Sequence, residues 1–396
     1  MEIRPIEPDE LPEFGRIASA SLGRSSGTFD ALRAEWTLAA FEEGAMVATY
    51  GMWPLTMRLN GEGIPIAGVT AVSTFPIYRR RGYVRAITEH HFRSLHDQKE
   101  RPIAVLNASM AAIYHRYGYA VCSTQHSYRF EPRFLQFPHP IAVPGDFREA
   151  RDDEFPLLVD LYRQFRAERT GYVHRGRAMW EAGVLSPPIK EGHLSTLVYQ
   201  EAGKPLGYLI YSVDPIAGEP GFARLQVTVR DLVWLSPSMY QAAWQHLRNL
   251  DLADMIVWGH VPEDDPLPHI LAEPRMLNVA VRDGIMGRIV DVEAALPLRP
   301  YAAEGTLVFD LQDDLCTWNT GRWKMQTTGL ETTITRTKEQ PELSLPVTTL
   351  AALTFGYFNA TQAARMGKLD TYENDALIRW DAVMRTSYRP ACSDIF

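Results

Sequence analysis

The residues best placed to do chemistry lie in one run, Ala71-Val72-Ser73-Thr74-Phe75-Pro76-Ile77-Tyr78-Arg79-Arg80-Arg81-Gly82-Tyr83-Val84-Arg85. It reads as a β-strand, a tight basic turn with one glycine, and the first turn of a helix. A helix start offers unpaired backbone N–H groups and the positive end of the macrodipole, so it favours a phosphate. Gly82 lets the backbone approach a ligand where a side chain would block it. Arg79, Arg80 and Arg81 alone would read as a solvated charge cluster or a nucleic-acid patch. Their place beside Gly82, between strand and helix, points to phosphate binding instead, with Arg85 as a further contact. Other tempting letters carry less. His90-His91 reads as helix surface and core. Asp265 and His269 flank Pro266 and Pro268 in a rigid loop, which is structural. No G-x-S-x-G, P-loop or G-x-G-x-x-G occurs, and no metal is called for.

The elements that must position this run follow from periodicity. Ile64–Phe75 is a buried strand. The helix after Gly82 puts Val84, Ile87, His91 and Leu95 on one face. Arg101–Asn107 is a second buried strand. Ser109–Arg116 reads as a short helix with Ser109 as N-cap and Gly118 as a left-handed end, and Tyr119–Phe130 as a strand. Upstream, the pattern predicts a strand over 2–5, helices from Asp9 to Ala20 and over 29–41, and strands over 45–53 and 54–60. Pro138, Pro140 and Pro144 mark a linker. Beyond it come a helix over Asp152–Arg169, strands over Ser195–Ser212, and a strand, Leu225–Leu235, feeding a helix over Ser238–Asn249. That last unit repeats the strand–turn–helix shape without its Arg/Gly chemistry. Residues 286–396 predict a small α+β domain, with sheet segments at Arg288–Asp291, Gly305–Asp310 and Gly321–Thr328 and helix from Leu343–Phe358 through Ala382.

The basic turn resembles the acyl-CoA-binding turn (R/Q-x-x-G-x-G/A) of the GNAT N-acetyltransferases, here Arg79-x-x-Gly82-x-Val84, with Val84 in place of the last small residue. Nearly the whole chain resembles the enhanced-intracellular-survival (Eis) family. The likeness rests on Val72–Pro76 before Arg79–Gly82, Ala108-Ser109 with Ile113–Tyr119, Asp265–Leu271, Val292–Leu296 with Tyr301-Ala302, and the terminal phenylalanine. The resemblance implies an α+β chain of two GNAT domains and a sterol-carrier-like domain, expected over 1–137, 138–285 and 286–396, with the second domain degenerate. It implies acetyl-CoA as cosubstrate, held by Val72, Ser73, Thr74, Arg79, Arg80, Arg81, Gly82, Tyr83, Val84 and Arg85, with Ser109 and Met110 nearby. Tyr114 would protonate the leaving thiolate; a phenol near pKa ~10 is close to a thiol near ~8.5. The α-carboxylate of Phe396 would be the general base, raised from its low solution pKa by burial. Trp36, Ala71 and Ile395 would line the substrate pocket, Trp180 being a further candidate wall. The family often has an acid before its last residue, where this chain has Ile395 and places Asp394 one position earlier.

Composition agrees with such a protein. The chain has 396 residues, 46% apolar and 22% charged, which fits two or three soluble domains. Cys122, Cys316 and Cys392 are far apart, which argues against disulfides or a zinc knuckle and for a reducing cytoplasm. No apolar run reaches ~18 residues, and Met1–Pro5 starts no signal region, so no membrane span is expected. The formal charge of −8 disfavours a general nucleic-acid binder. The expectation is a cytoplasmic N-acetyltransferase acting on a small-molecule amine such as an aminoglycoside or polyamine, a homo-oligomer (hexamer) by family resemblance. The alternatives are a protein-lysine acetyltransferase and a non-catalytic acyl-CoA- or lipid-binding protein whose groove is lined by Leu350–Phe358.

Overall fold

Alternating burial along Leu55, Met57 and Leu59, and along Ile64 and Ile66, builds the long hairpin at the heart of the N-terminal half. The computed structural model describes residues 1–25, 29, 31–187, 192–216, 224–373 and 375–396. The first segment runs β1 (Glu2–Arg4), α1 (Leu11–Leu22), β2 (Thr37–Glu42), β3 (Ala45–Leu59), β4 (Glu62–Thr74), α2 (Tyr83–Gln98), β5 (Ile103–Asn107), α3 (Ala111–His115) and β6 (Ala120–Val121). The helix expected over 29–41 is instead a 3-10 turn at Ala34–Trp36 followed by β2, because β2 pairs with both β1 and β3; residue 30 of that expectation lies outside the described residues. β3 is one strand, not two. Its pairing with β2 ends at Gly51, so Pro54 lies where β3 has an open edge and tolerates a missing N–H. The helix expected at Ser109 starts at Ala111, after an extended Met110, and no side chain caps it.

The chain then enters a second sheet. Its elements are β7 (Thr124–Phe130), β8 (Asp146–Glu149), α4 (Phe155–Phe165), α5 (Arg177–Ala182), β9 (His193–Glu201), β10 (Lys204–Pro215), β11 (Leu225–Trp234), α6 (Pro237–Arg248), β12 (Ala253–Val261), α7 (Leu267–Ile270) and β13 (Ala280–Asp283). The strand expected over Tyr119–Phe130 is therefore two, β6 in the first sheet and β7 in the second. Trp180 is fully buried between Phe155, Tyr162 and Tyr208; it is a core residue of this unit, not a pocket wall.

The rest comprises β14 (Ile285–Ile289), α8 (Val292–Ala295), β15 (Gly305–Gln312), β16 (Gly321–Thr327), β17 (Thr332–Arg336), β18 (Leu343–Pro346), α9 (Val347–Phe355), α10 (Ala360–Arg365), β19 (Asp370–Thr371) and α11 (Ala376–Met384). Among the described residues the sheet orders are β1-β2-β3-β4-β5-β14-β6, β13-β7-β12-β11-β10-β9-β8 and β17-β16-β15-β18-β19. β14 thus joins the first sheet rather than the C-terminal one. β18 is a strand where helix was expected, because it pairs in parallel with β15 from Phe309↔Leu343 onward. Two compact units result. One holds Met1–Ser123, Gly284–Ser387 and Ile395–Phe396; the other holds Thr124–Asp283 and Tyr388–Asp394. In the first unit, Gly287 of β14 lies so close to Phe355 of α9 that a Cβ would stand 2.8 Å from its ring. Nη2 of the buried Arg288 donates to both oxygens of Asp313 at 2.7 and 2.8 Å, pairing two charges that burial would otherwise leave uncompensated. α9 is buried on all faces from Thr349 to Phe355.

Candidate active site

The central strand of the first unit is bent by one residue. Thr49 of β3 faces Ser73 of β4, while Gly51 faces Thr70, so Ala71 and Val72 together oppose Tyr50. Ala71 has φ 50°, in the left-handed region. This is a β-bulge, a common device for re-aiming a strand near a site. The Thr49 hydroxyl pins it by donating to the Ala71 carbonyl at 2.8 Å, and with that proton committed the buried Ser73 hydroxyl donates to Thr49 Oγ1 at 2.7 Å. The parallel pairing of β4 with β5 spans only Ala67↔Ala104 to Val69↔Leu106. β4 runs on to Thr74 without β5, so the backbone of Val72, Ser73 and Thr74 borders a splay between the two strands.

At the end of this strand Gly82, with φ 87°, caps α2; no side chain caps it, and the first intrahelical bond runs from Ala86 N–H to the Gly82 carbonyl at 3.0 Å. The N–H groups of Tyr83, Val84 and Arg85 precede that bond. A Cβ on Gly82 would meet nothing within 4 Å, so the cap is open on that side. The arginines differ in their commitments. Arg79 donates to the Thr74 and Ser21 carbonyls, at 3.4 and 3.1 Å, tying the end of β4 to the last turn of α1. Arg81 pairs with Glu42 at 3.4 Å, and Glu42 also accepts from the Tyr83 hydroxyl. Arg85 pairs with Glu89 at 2.8 Å. Arg80, at φ 66°, is exposed. Val84 packs on the apolar cluster beneath α2, so a branched residue suits a position where the generic motif has a small one.

Val72, Tyr78, Val84 and Tyr114 all pack around one cluster that includes Tyr50, Val69, Tyr83, Leu106 and Tyr119. Tyr114 sits on α3 with its ring edge-on to Tyr119, centroids 5.9 Å apart. Gly118, at φ 80°, makes the turn that returns the chain to Tyr119; a Cβ there would stand 2.8 Å from the Arg288 guanidinium carbon, so no larger residue fits. Burial, helped by Tyr117, pushes the Tyr114 phenol up to about 12. It is a weaker acid than the near-match to a thiol expected from sequence. Ser109 and Met110 are exposed at the start of α3. Beneath the cluster the Tyr50 hydroxyl bonds His91 Nδ1 at 2.9 Å. Burial, with His90 adding, holds His91 down to about 3, so the ring is neutral.

The other pocket residues collect elsewhere in the same unit. Ala71 is buried in a cluster with Phe14, Ile17 and Leu32, against which Trp53 and Phe75 pack. Trp36 and Trp53 form a tilted pair with centroids 5.6 Å apart, and Arg33 lies 4.7 Å over Trp36. Trp53 faces Gly68 across the β3–β4 ladder. The Phe396 ring rests on that glycine: a Cβ on Gly68 would stand 3.1 Å from Cδ2 of Phe396 and 2.7 Å from Leu55. Opposed residues of an antiparallel pair project to one face, so Trp53 and the terminal ring share a face of the sheet. Ile395 is 72% exposed. Thr49, Trp53 and Gly68 were missed in the sequence. Gly68, bare in a run of apolar strand residues, was the one with a signal, since an isolated strand glycine marks a close approach.

The second unit contains a strand–turn–helix of the same shape with a closed helix start. Ser236 caps α6 by accepting from Met239 N–H at 3.2 Å, Pro237 has no N–H to offer, and the Glu201 carboxylate accepts from the Ser238 hydroxyl. Asp265 accepts from the Tyr240 and Tyr128 hydroxyls and from Leu267 N–H, as a structural loop residue does. No group of metal-ligating side chains forms among the described residues, and no described helix is long and apolar enough to cross a membrane.

A bulged, splayed strand leading into an uncapped helix start defines a GNAT-type acetyltransferase domain. Domain models agree: residues 2–122 and 171–289 each match an acetyltransferase (GNAT) domain, and residues 292–393 match a sterol carrier protein domain. Among relatives, the N-acetyltransferase Eis of Mycobacterium tuberculosis is 28% identical over 94% of this chain and 94% of its own. An uncharacterized N-acetyltransferase of Streptomyces avermitilis is 28% identical over 95% of this chain and 93% of its own. The crystal structure of Eis1 from Mycobacterium abscessus superposes with a TM-score of 0.82 at 27% identity, both chains covered in full. A GCN5-related N-acetyltransferase from Anabaena variabilis, 24% identical, shares the fold with a TM-score of 0.87 over 100% of each chain. The chain is a GNAT N-acetyltransferase that is similar to the Eis proteins along nearly its whole length.

Proposed function

We propose that this protein transfers an acetyl group from acetyl-CoA to an amine of a small molecule, by direct attack of the amine. The observation that carries this reading is the splay of β4 from β5 at the Thr49-pinned bulge, ending at the open start of α2. Bound acetyl-CoA supplies an acetyl thioester, whose C–S bond breaks as the new C–N bond forms. The backbone of Val72–Thr74 lines the splay and binds the thioester and its arm. The N–H groups of Tyr83–Arg85 and the side chain of Arg80 receive the pyrophosphate. Arg81 and Arg85 are held by Glu42 and Glu89 and add positive charge at longer range. Tyr114 hydrogen-bonds the departing sulfur and completes the proton transfer late, since a phenol near 12 gives up its proton uphill to a thiolate of ordinary basicity. The Phe396 carboxylate accepts the proton lost by the amine. Trp36, Trp53 and Ala71 shape the acceptor side, where an aromatic face suits a sugar or a cation.

Family likeness also supports a homo-oligomer, a hexamer, and a cytoplasmic location. The burial of α9 on all faces speaks against a lipid groove lined by that helix. The test is thiol release from acetyl-CoA across aminoglycosides, polyamines and lysine peptides, for the native chain, Tyr114→Phe and a chain lacking Phe396. We expect turnover with at least one small amine, and a kcat lower by ~10²–10⁴-fold in each variant. Turnover with lysine peptides alone would favour a protein acetyltransferase. Full activity without Phe396 would move the base elsewhere.

A further inference from the structure

The second unit has a splay of its own, bordered by the chain's tail. β11 pairs in parallel with β12 only from Leu225 to Val229, then continues to Trp234 while β12 continues to Val261. Asp231, Leu232 and Trp234 from β11, with Trp258 and His260 from β12, line the space beyond, together with Ser393. Against the Asp231 and Ser393 side of this lining, Arg175 is fully buried and spends its donors on strand and tail at once. Nη1 donates to Asp231 at 2.5 Å, Nε to Asp394 at 2.8 Å and Nη2 to the Ser393 hydroxyl at 3.0 Å. The guanidinium lies 4.0 Å over the Tyr162 ring, and the Tyr208 hydroxyl donates to Asp231 at 2.7 Å. Upstream, Ala391 N–H donates to the Thr170 carbonyl at 3.0 Å. Gly171, at φ 94°, lets the tail backbone lie against it; a Cβ there would stand 2.5 Å from the Ala391 carbonyl oxygen. Arg169 lies 4.3 Å over the Tyr388 ring.

We propose that the second unit's splay is a socket for the C-terminal tail, and that Arg175 is the positioning residue that fixes this tail for catalysis. The inference rests on the reading of Phe396 as general base. Chain ends fray unless tied down, and a base on a frayed end would spend little of its time in the productive geometry. Arg175 removes that freedom up to Asp394, so only two residues, about 7 Å of extended chain, lie beyond the anchor. The same geometry accounts for the departure at the tail. Asp394 is committed to Arg175 as anchor. The degenerate start of α6, closed by Ser236 and Glu201, fits a crevice that holds protein rather than coenzyme.

Arg175→Met would leave Asp231 buried without its cation and endanger folding, so the test acts on the tail. Asp394→Asn, Asp394→Glu, the native chain and the chain lacking Phe396 are compared by the rate at which a carboxypeptidase releases Phe396, by amide exchange at Ala391, and by kcat and KM. For Asp394→Asn we expect release and exchange about tenfold faster or more, as follows from losing a buried charged hydrogen bond. We also expect a comparable fall in kcat with an unchanged KM for acetyl-CoA, and partial recovery of kcat in Asp394→Glu. Native release and exchange rates in Asp394→Asn would overturn the socket. Faster release with native kcat, while the chain lacking Phe396 is inactive, would overturn the positioning role alone. Native turnover from the chain lacking Phe396 would overturn the base reading, and the positioning role with it.

Discussion

Gly68 shows how much a single bare position can decide. A methyl group there would contact Leu55, whose end can rotate away, and the Phe396 ring, which is held at the chain end. Overpacking of this kind costs about 1–3 kcal/mol. We therefore expect Gly68→Ala to displace the terminal ring, lowering kcat by about tenfold or more while leaving acetyl-CoA affinity at the native value. Steady-state kinetics beside calorimetric titration of acetyl-CoA would check this. Equal loss of kcat and affinity would mean that the substitution damaged the sheet rather than the seat of Phe396. Only part of this chemistry could be read from the letters. Gly82 and Gly118 declare themselves, because turns need positive φ and the flanking patterns say where the turns are. The role of Thr49 is invisible in sequence, since a hydroxyl in an apolar strand gives no hint that it closes a bulge on a neighbouring strand. Arg80 cannot be told from Arg79 and Arg81 until their partners are seen.

At the scale of elements, the bulge is the feature on which the site depends. Thr49→Val keeps the shape and β preference of the side chain but removes the donor to the Ala71 carbonyl and the acceptor for Ser73. Leaving such groups unpaired in the interior costs about 1–3 kcal/mol. We expect Thr49→Val to lower the melting temperature and to weaken acetyl-CoA binding, because the angle at which β4 leaves β5 is no longer fixed. Unaltered binding in a destabilised variant would show that the splay forms without the pin. The strand-to-helix order around this bulge was legible because β4, α2 and β5 each carry a clear pattern, whereas Pro54 made β3 read as two strands. β2 and β18 were read as helix because short apolar runs fit both periods; their strand character comes from partners far away in sequence, β1 and β3 for one and β15 for the other. The exchange of β7 and β14 between sheets is likewise a matter of non-local pairing.

For the whole molecule, two buried groups give the two units opposite responses to pH. In the first unit His91 is neutral, its folded value near 3 lying well below an ordinary imidazole because burial disfavours the cation. Between about 6.5 and 3 the unfolded chain binds a proton that the folded unit refuses, so stability in this unit falls as pH falls through that window. In the second unit burial outweighs the donors from Tyr240, Leu267 and Tyr128 and lifts Asp265 to about 7. Here the folded state keeps a proton that the unfolded chain has already lost. Stability in this unit therefore falls as pH rises from near 4 to near 7. Each unit of pH inside a window shifts stability by at most about 1.4 kcal/mol per group. A single melting curve would blend the two effects, but amide exchange read peptide by peptide separates them. On going from pH 7 to pH 5, after correction for the intrinsic exchange rate, α2 should lose protection and the start of α6 around Tyr240 should gain it. His91→Gln should flatten the first response and leave the second, because the two groups belong to different cores and do not share partners. If protection moves in the same direction in both helices, the pH response comes from charges spread over the surface, and neither buried group governs its unit.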